Sequence, residues 1–148
     1  MQFDPSNQIN KLCAEGMFAE AKGEGGEALT LFLQAWSEAQ NDFEKFISAH
    51  YLARGQKNIE DKLEWDRTAL LYASKINDEN VKACYPSLYL NIAKGYEDLN
   101  NFENARRNYL LADSYTDFME EDGYASMIKR GISNGLERIK DQIMGEDA

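Results

Sequence analysis

Residues 88–112 read LYLNIAKGYEDLNNFENARRNYLLA, and this stretch decides the architecture. Leu88, Tyr89, Ile92, Ala93 and Tyr96 recur at the spacing of one helix face. The pair Asn100-Asn101 interrupts the pattern, and Phe102, Ala105, Tyr109 and Ala112 resume it. Two amphipathic helices joined by so short a turn must be antiparallel neighbours. Ala93 and Ala105 fall where the two axes cross closely and a larger side chain would separate them. Tyr109 fills the gap that this approach leaves.

The same unit returns upstream. Ile9, Leu12, Cys13, Gly16 and Met17 mark a first helix, opened by Asp4 as N-cap with Pro5 in its first turn. Gly23, Gly25 and Gly26 break it, and Ala28, Leu31, Phe32, Ala35 and Trp36 form the stripe of its partner. Phe43, Phe46, Ala49 and Ala53 begin a second pair that turns near Gly55. Asn58 caps the next helix, which carries Leu63, Trp65, Ala69, Leu70, Ala73 and Ile76. Gly16, His50 and Ala93 stand at one position of the repeat, 34 and 43 residues apart. The nine extra residues fall between Ile76 and Pro86, and Pro86 marks a helix boundary. A last helix carries Tyr124, Met127, Ile128, Gly131, Ile132, Gly135, Leu136, Ile139 and Ile143 with no partner after it. It suits the cap that covers the open apolar edge of a repeat array. No segment has the period-two alternation of a strand.

The pattern large, large, small, large on the first helix and large, small, aromatic, small on the second resembles the tetratricopeptide repeat, or TPR. The resemblance covers roughly residues 8–143. It implies an all-α, TPR-like right-handed α-solenoid of three helix pairs plus a C-terminal capping helix. The expected organisation is one domain over 1–148, with repeats at 8–41, 42–80 and 86–119 and the cap at 124–143. Repeat two departs from the pattern, with His50 at the small position and Lys62 where Ala is usual. The long second repeat, with Pro before the next helix, resembles those of kinesin light chains and many bacterial TPR proteins. More narrowly, the chain resembles small bacterial TPR proteins whose repeat unit is also found fused ahead of rifampin ADP-ribosyltransferase domains. Members of that group are sometimes labelled rRNA adenine methyltransferase. The residues give that label no support, for no Gly-rich strand-to-helix turn with a following acidic residue is present.

Charge and composition narrow the function further. The 148 residues hold 16 Lys+Arg against 26 Asp+Glu, a net charge of -10. That balance opposes binding to nucleic acid or to an anionic membrane surface. No apolar run approaches a membrane span, and the amino terminus lacks a basic and apolar leader pattern. A cytoplasmic location is expected. Cys13 and Cys84 lie in neither a disulfide nor a zinc spacing and read as buried thiols.

No catalytic set is visible. His50 is the single histidine and reads as a residue at a helix crossing, so no catalytic residue, metal or cofactor is expected. Glu120-Glu121-Asp122 reads as a solvated loop, Gly23 to Gly26 as a tight turn, and Lys129, Arg130, Arg138 and Lys140 as a solvated helix face. What remains, from the resemblance, is a non-enzymatic scaffold that binds a peptide or protein segment in a concave groove. In register, Met17, Tyr51, Arg54, Leu90, Asn91, Lys94 and Glu97 line it, with Asn10, Glu20 and Ser48 as further exposed candidates. The carboxylate clamp of chaperone-binding TPR domains is missing, since Cys13, Met17, Ser87 and Asn91 occupy its positions. The alternative role is homo-oligomeric assembly, with a homodimer formed through terminal-helix or first-repeat surfaces. Phe3 and Phe118, aromatics outside the motif, motivate it.

Overall fold

Four asparagines open four of the helices, each by turning a side-chain oxygen onto backbone N–H groups that the helix itself leaves unpaired. Asn7 accepts from Ile9 and Asn10, Asn41 from Glu44, Asn58 from Asp61 and Asn101 from Asn104. The structure, a computed structural model, describes residues 4–146, with side chains through residue 143. Its helices are α1 (Gln8–Ala21), α2 (Gly25–Glu38), α3 (Asp42–Arg54), α4 (Ile59–Ser74), the short α5 (Glu79–Lys82), α6 (Tyr85–Asp98), α7 (Phe102–Ser114) and α8 (Gly123–Glu146). A single 3₁₀ turn, Thr116–Phe118, follows α7, and the described residues contain no strand.

Asp4 does not cap α1 as the sequence suggests. It accepts from the backbone and hydroxyl of Ser6 and so closes a separate turn, leaving the cap to Asn7. The ends of α1 and α6 share one device. Gly23 (φ 79°) and Asn100 (φ 61°) adopt the left-handed conformation. The next residue then donates back, Glu24 N to Ala19 O at 2.8 Å and Asn101 N to Tyr96 O at 2.9 Å. The extra residues of the second repeat hold α5, and Pro86 lies in the first turn of α6, where no helical hydrogen bond is lost.

The chain divides into two units, residues 1–77 and 78–148. In the first, α1 packs on α2 and α3, and α3 on α4. Ala19, Ala28, Phe32 and Leu52 form a buried core flanked by Leu29, Trp36, Tyr51 and Trp65. Trp36 meets the edge of Trp65 at 5.0 Å, and Lys45 sits 4.1 Å over its ring. In the second unit, α7 and α8 pack on each other and both on α6. Ala93, Ala105, Tyr109, Ala112, Ile128, Ile132 and Ile139 make that core. As expected of a cap, α8 covers the apolar edge of α6 and α7. Tyr124 and Met127, read as part of its apolar stripe, are instead about half exposed because they lie off the helix face of Ala125, Ile128 and Ile132 that is buried.

The second repeat replaces an apolar contact with polar groups. Phe32 and Tyr109 are fully buried, and Asp66 stands at the same position of repeat two, also buried. Burial pushes the Asp66 carboxyl up, while Lys62, with Nζ at 2.8 Å, opposes the shift. The two departures at His50 and Lys62 are thus joined by a third, Asp66, at the aromatic position.

Candidate functional site

Asn10, Cys13 and Met17 follow one another at i, i+3 and i+7 on α1, and Ile47 and Tyr51 at i and i+4 on α3. These spacings put each set on one helix face, and the two faces line a cleft of about 250 Å³. Its wall is mainly apolar, and the space suits one large side chain. Ile47 and Cys13 form its buried floor, while Met17 is 41% exposed at its edge. Tyr51 is half-buried and fixed from below by stacking on Phe32, with ring centroids 5.4 Å apart.

One turn further along both helices lies a charged pair. Arg54 Nη2 stands 3.0 Å from Glu20 Oε1, and the guanidinium lies 5.7 Å from the centre of the Tyr51 ring. Glu20 Oε1 is buried and accepts no hydrogen bond among the described residues, so its contact with Arg54 is one of charge without alignment. His50, beside Tyr51 at 5.3 Å, likewise buries Nδ1 without a partner. Burial, then the charges of Arg54 and Lys62, push the imidazole down to about 4, so it is neutral at pH 7.

Of the residues singled out by register, Met17 and Tyr51 therefore share the cleft and Arg54 stands beside it. Ser48 does not join them: it is fully buried, and its hydroxyl donates to Glu44 O at 2.7 Å. Asn10 does line the cleft, while its amide donates to Asp4 O at 2.9 Å. Cys13 and Ile47 were missed as site residues. Their helical spacing to Met17 and Tyr51 is visible in the sequence, but Cys13 reads as a buried thiol and Ile47 falls outside the repeat pattern.

In the second unit the candidates have other commitments. Leu90 packs beneath α8, where a Cβ on Gly131 would stand 3.2 Å from its Cδ2. Glu97 accepts from Arg138 Nε at 2.9 Å, Arg138 Nη2 at 3.0 Å and the Tyr109 hydroxyl at 2.6 Å. Burial pushes the Glu97 carboxyl up, but these hydrogen bonds and the Arg138 charge outweigh it and hold it below its ordinary value. Arg138 is thereby bound to α6, while its side chain stays about half exposed. Lys94 is exposed and pairs with Asp98 one turn on, and Asn91 is half-buried.

The remaining sequence candidates are simpler. Glu120 and Glu121 are exposed, while Asp122 accepts from Ala125 N at 2.8 Å and opens α8. Cys13 is buried and its thiol is pushed up to about 12 by desolvation. Cys84 is only half-buried, because it lies at the start of α6 outside the packed stripe. Phe118 is 42% exposed with Lys82 at 5.4 Å, and Phe3 lies outside the described residues. Among the described residues no group of three or more His, Cys, Asp or Glu could hold a metal ion, and no helix is long and apolar enough to cross a membrane.

No family model matches the sequence, and no curated protein matches it. Among solved structures, the chain is similar to the crystal structure of the Sgt2 TPR domain from Aspergillus fumigatus. The TM-score is 0.69 at 21% identity, over 98% of this chain and 87% of that one. At that identity the likeness establishes the fold, an all-α TPR-like arrangement of helix pairs.

Proposed function

We propose that the protein is a non-enzymatic interaction module that holds a peptide or protein segment, with the α1–α3 cleft as a side-chain pocket. The observation that carries this reading is the cleft itself, an apolar recess for one large side chain with Arg54 and the hydrogen-bond-free Glu20 oxygen beside it. An apolar side chain buried there contributes about 1.5–3 kcal/mol. Backbone carbonyls of the bound segment are suited to the half-exposed Arg54 guanidinium. On the second unit Asn91 and Lys94 are the corresponding groove candidates, and Leu90 and Glu97 serve mainly to seat α8. The TPR-like fold and the neutral His50 agree with a binding role. A soluble bacterial protein of the cytoplasm, related to the repeat units that precede rifampin ADP-ribosyltransferase domains, fits the sequence resemblance.

The test is selection of peptides from a random display library on the full chain. Selected peptides should carry one large apolar residue and should lose binding by about tenfold or more on Met17→Asp or Tyr51→Ala. Peptides that bind both variants as well as the parent would place recognition elsewhere.

A further inference from the structure

Two recesses outside the α1–α3 cleft combine apolar and charged residues and carry opposite charge. On the first unit, α1 and α2 expose Phe18, at 71% the most exposed large apolar residue among the described ones, above Leu31 in a recess of about 280 Å³. Glu15, Glu24 and Glu27 rim it with one cation, Lys22. The Glu24 carboxyl is pushed up by its hydrogen bond with Glu27 and by that neighbour's charge, a repulsion that an incoming cation would relieve. On the second unit, α7 and α8 enclose a groove of about 560 Å³ walled by Leu110, Leu136 and Ile143. Arg106 and Lys140 rim it with one anion, Glu137. Neither cation has an ion-pair partner among the described residues.

We infer that these two faces bind each other between copies, the Phe18 face of one chain seating in the α7–α8 groove of a second. Each offers exposed apolar surface, and the charges match in both senses: three acids and one base on the first, two bases and one acid on the second. In a chain of net charge -10, copies repel one another in most orientations, which favours the contact that sets a cationic groove against an acidic rim. The contact is heterologous, so it uses different patches on its two partners and leaves each copy one face free to continue. It is independent of the peptide-binding reading, because neither face includes the α1–α3 cleft.

Sedimentation velocity of the full chain over a wide concentration range, at low and at high salt, tests it. The average mass should rise above the 16.9 kDa of the monomer with concentration and fall back with salt. Phe18→Asp and Leu110→Asp each remove one face; both positions are exposed, and circular dichroism checks that the helices persist. Each variant alone should weaken association by about tenfold or more. Their mixture should form a discrete pair of twice the monomer mass, because each supplies the face the other lacks. A parent chain that stays monomeric at every concentration would overturn the proposal and leave the groove to a different protein. Assembly that survives Phe18→Asp but not Leu110→Asp would also overturn it, in favour of an isologous α7–α8 contact.

Discussion

Gly135 on α8 lies so close to Tyr109 on α7 that a Cβ there would stand 2.3 Å from the ring Cζ. The first unit repeats the relationship, for a Cβ on Gly16 of α1 would stand 2.3 Å from Phe32 Cε1 on α2. Both rings are fully buried and have no empty space to turn into. Each glycine lets its helix settle onto an aromatic ring of the helix beside it.

Gly16→Ala and Gly135→Ala should therefore destabilise their units by about 1–3 kcal/mol, even though alanine is the better helix former by about 1 kcal/mol. Gly26→Ala, near the start of α2 with nothing within 4 Å, is the control and should be neutral or slightly stabilising. Urea unfolding midpoints of the three variants decide the matter.

Arg138 ties α8 to α6 through its two-nitrogen grip on Glu97. Arg138→Ala should cost about 1–3 kcal/mol, and Arg138→Lys should recover little of it because a single ammonium cannot reproduce the fork. The Glu97 carboxyl is held below its unfolded value, so its contribution is present above pH 4.5 and is lost as the pH falls through the folded value. In Glu97→Gln the loss of stability in that acid range should be shallower, as read by urea melts at a series of pH values.

His50 works in the opposite sense of charge. Its folded pKa of about 4 lies below the ordinary 6.5, so between these values the unfolded chain binds a proton that the folded chain refuses. Stability from this group is complete above pH 6.5 and declines as the pH falls towards 4, by at most about 3 kcal/mol. His50→Ala, which restores a small residue at this repeat position, should remove that slope. Equal slopes for parent and variant between pH 6.5 and 4 would count against it.

The two thiols should differ in reactivity. Cys13 is buried with its pKa pushed up to about 12, whereas Cys84 is half-buried and raised only in direction. Mass spectrometry after alkylation of the native protein should find Cys84 modified first, with Cys13 reacting at the rate of unfolding.

Much of the fold was legible because helix pairing is a local property. The Leu88–Ala112 stretch carries its own periodicity, its turn and its small crossing residues, and the same signals recur upstream. The cap of α1 was misassigned because Asp4 and Asn7 offer similar oxygens, and the choice depends on which N–H groups each one faces. The site was legible only in part. Met17 and Tyr51 follow from register, but Leu90, Glu97 and Ser48 looked equally available. Whether a position on a helix face is open depends on the helix beside it.

The sequence alone determined the all-helical class and the pairing of successive helices, since both depend on residues close to one another along the chain. Tertiary structure alone decided which side chains remained free. It spent Glu97 and Arg138 on seating α8, put Leu90 beneath Gly131, and left the α1–α3 cleft open with Ile47 and Cys13 as its floor. Burial and ion pairing depend on distances between helices far apart in the chain, and no local pattern encodes them.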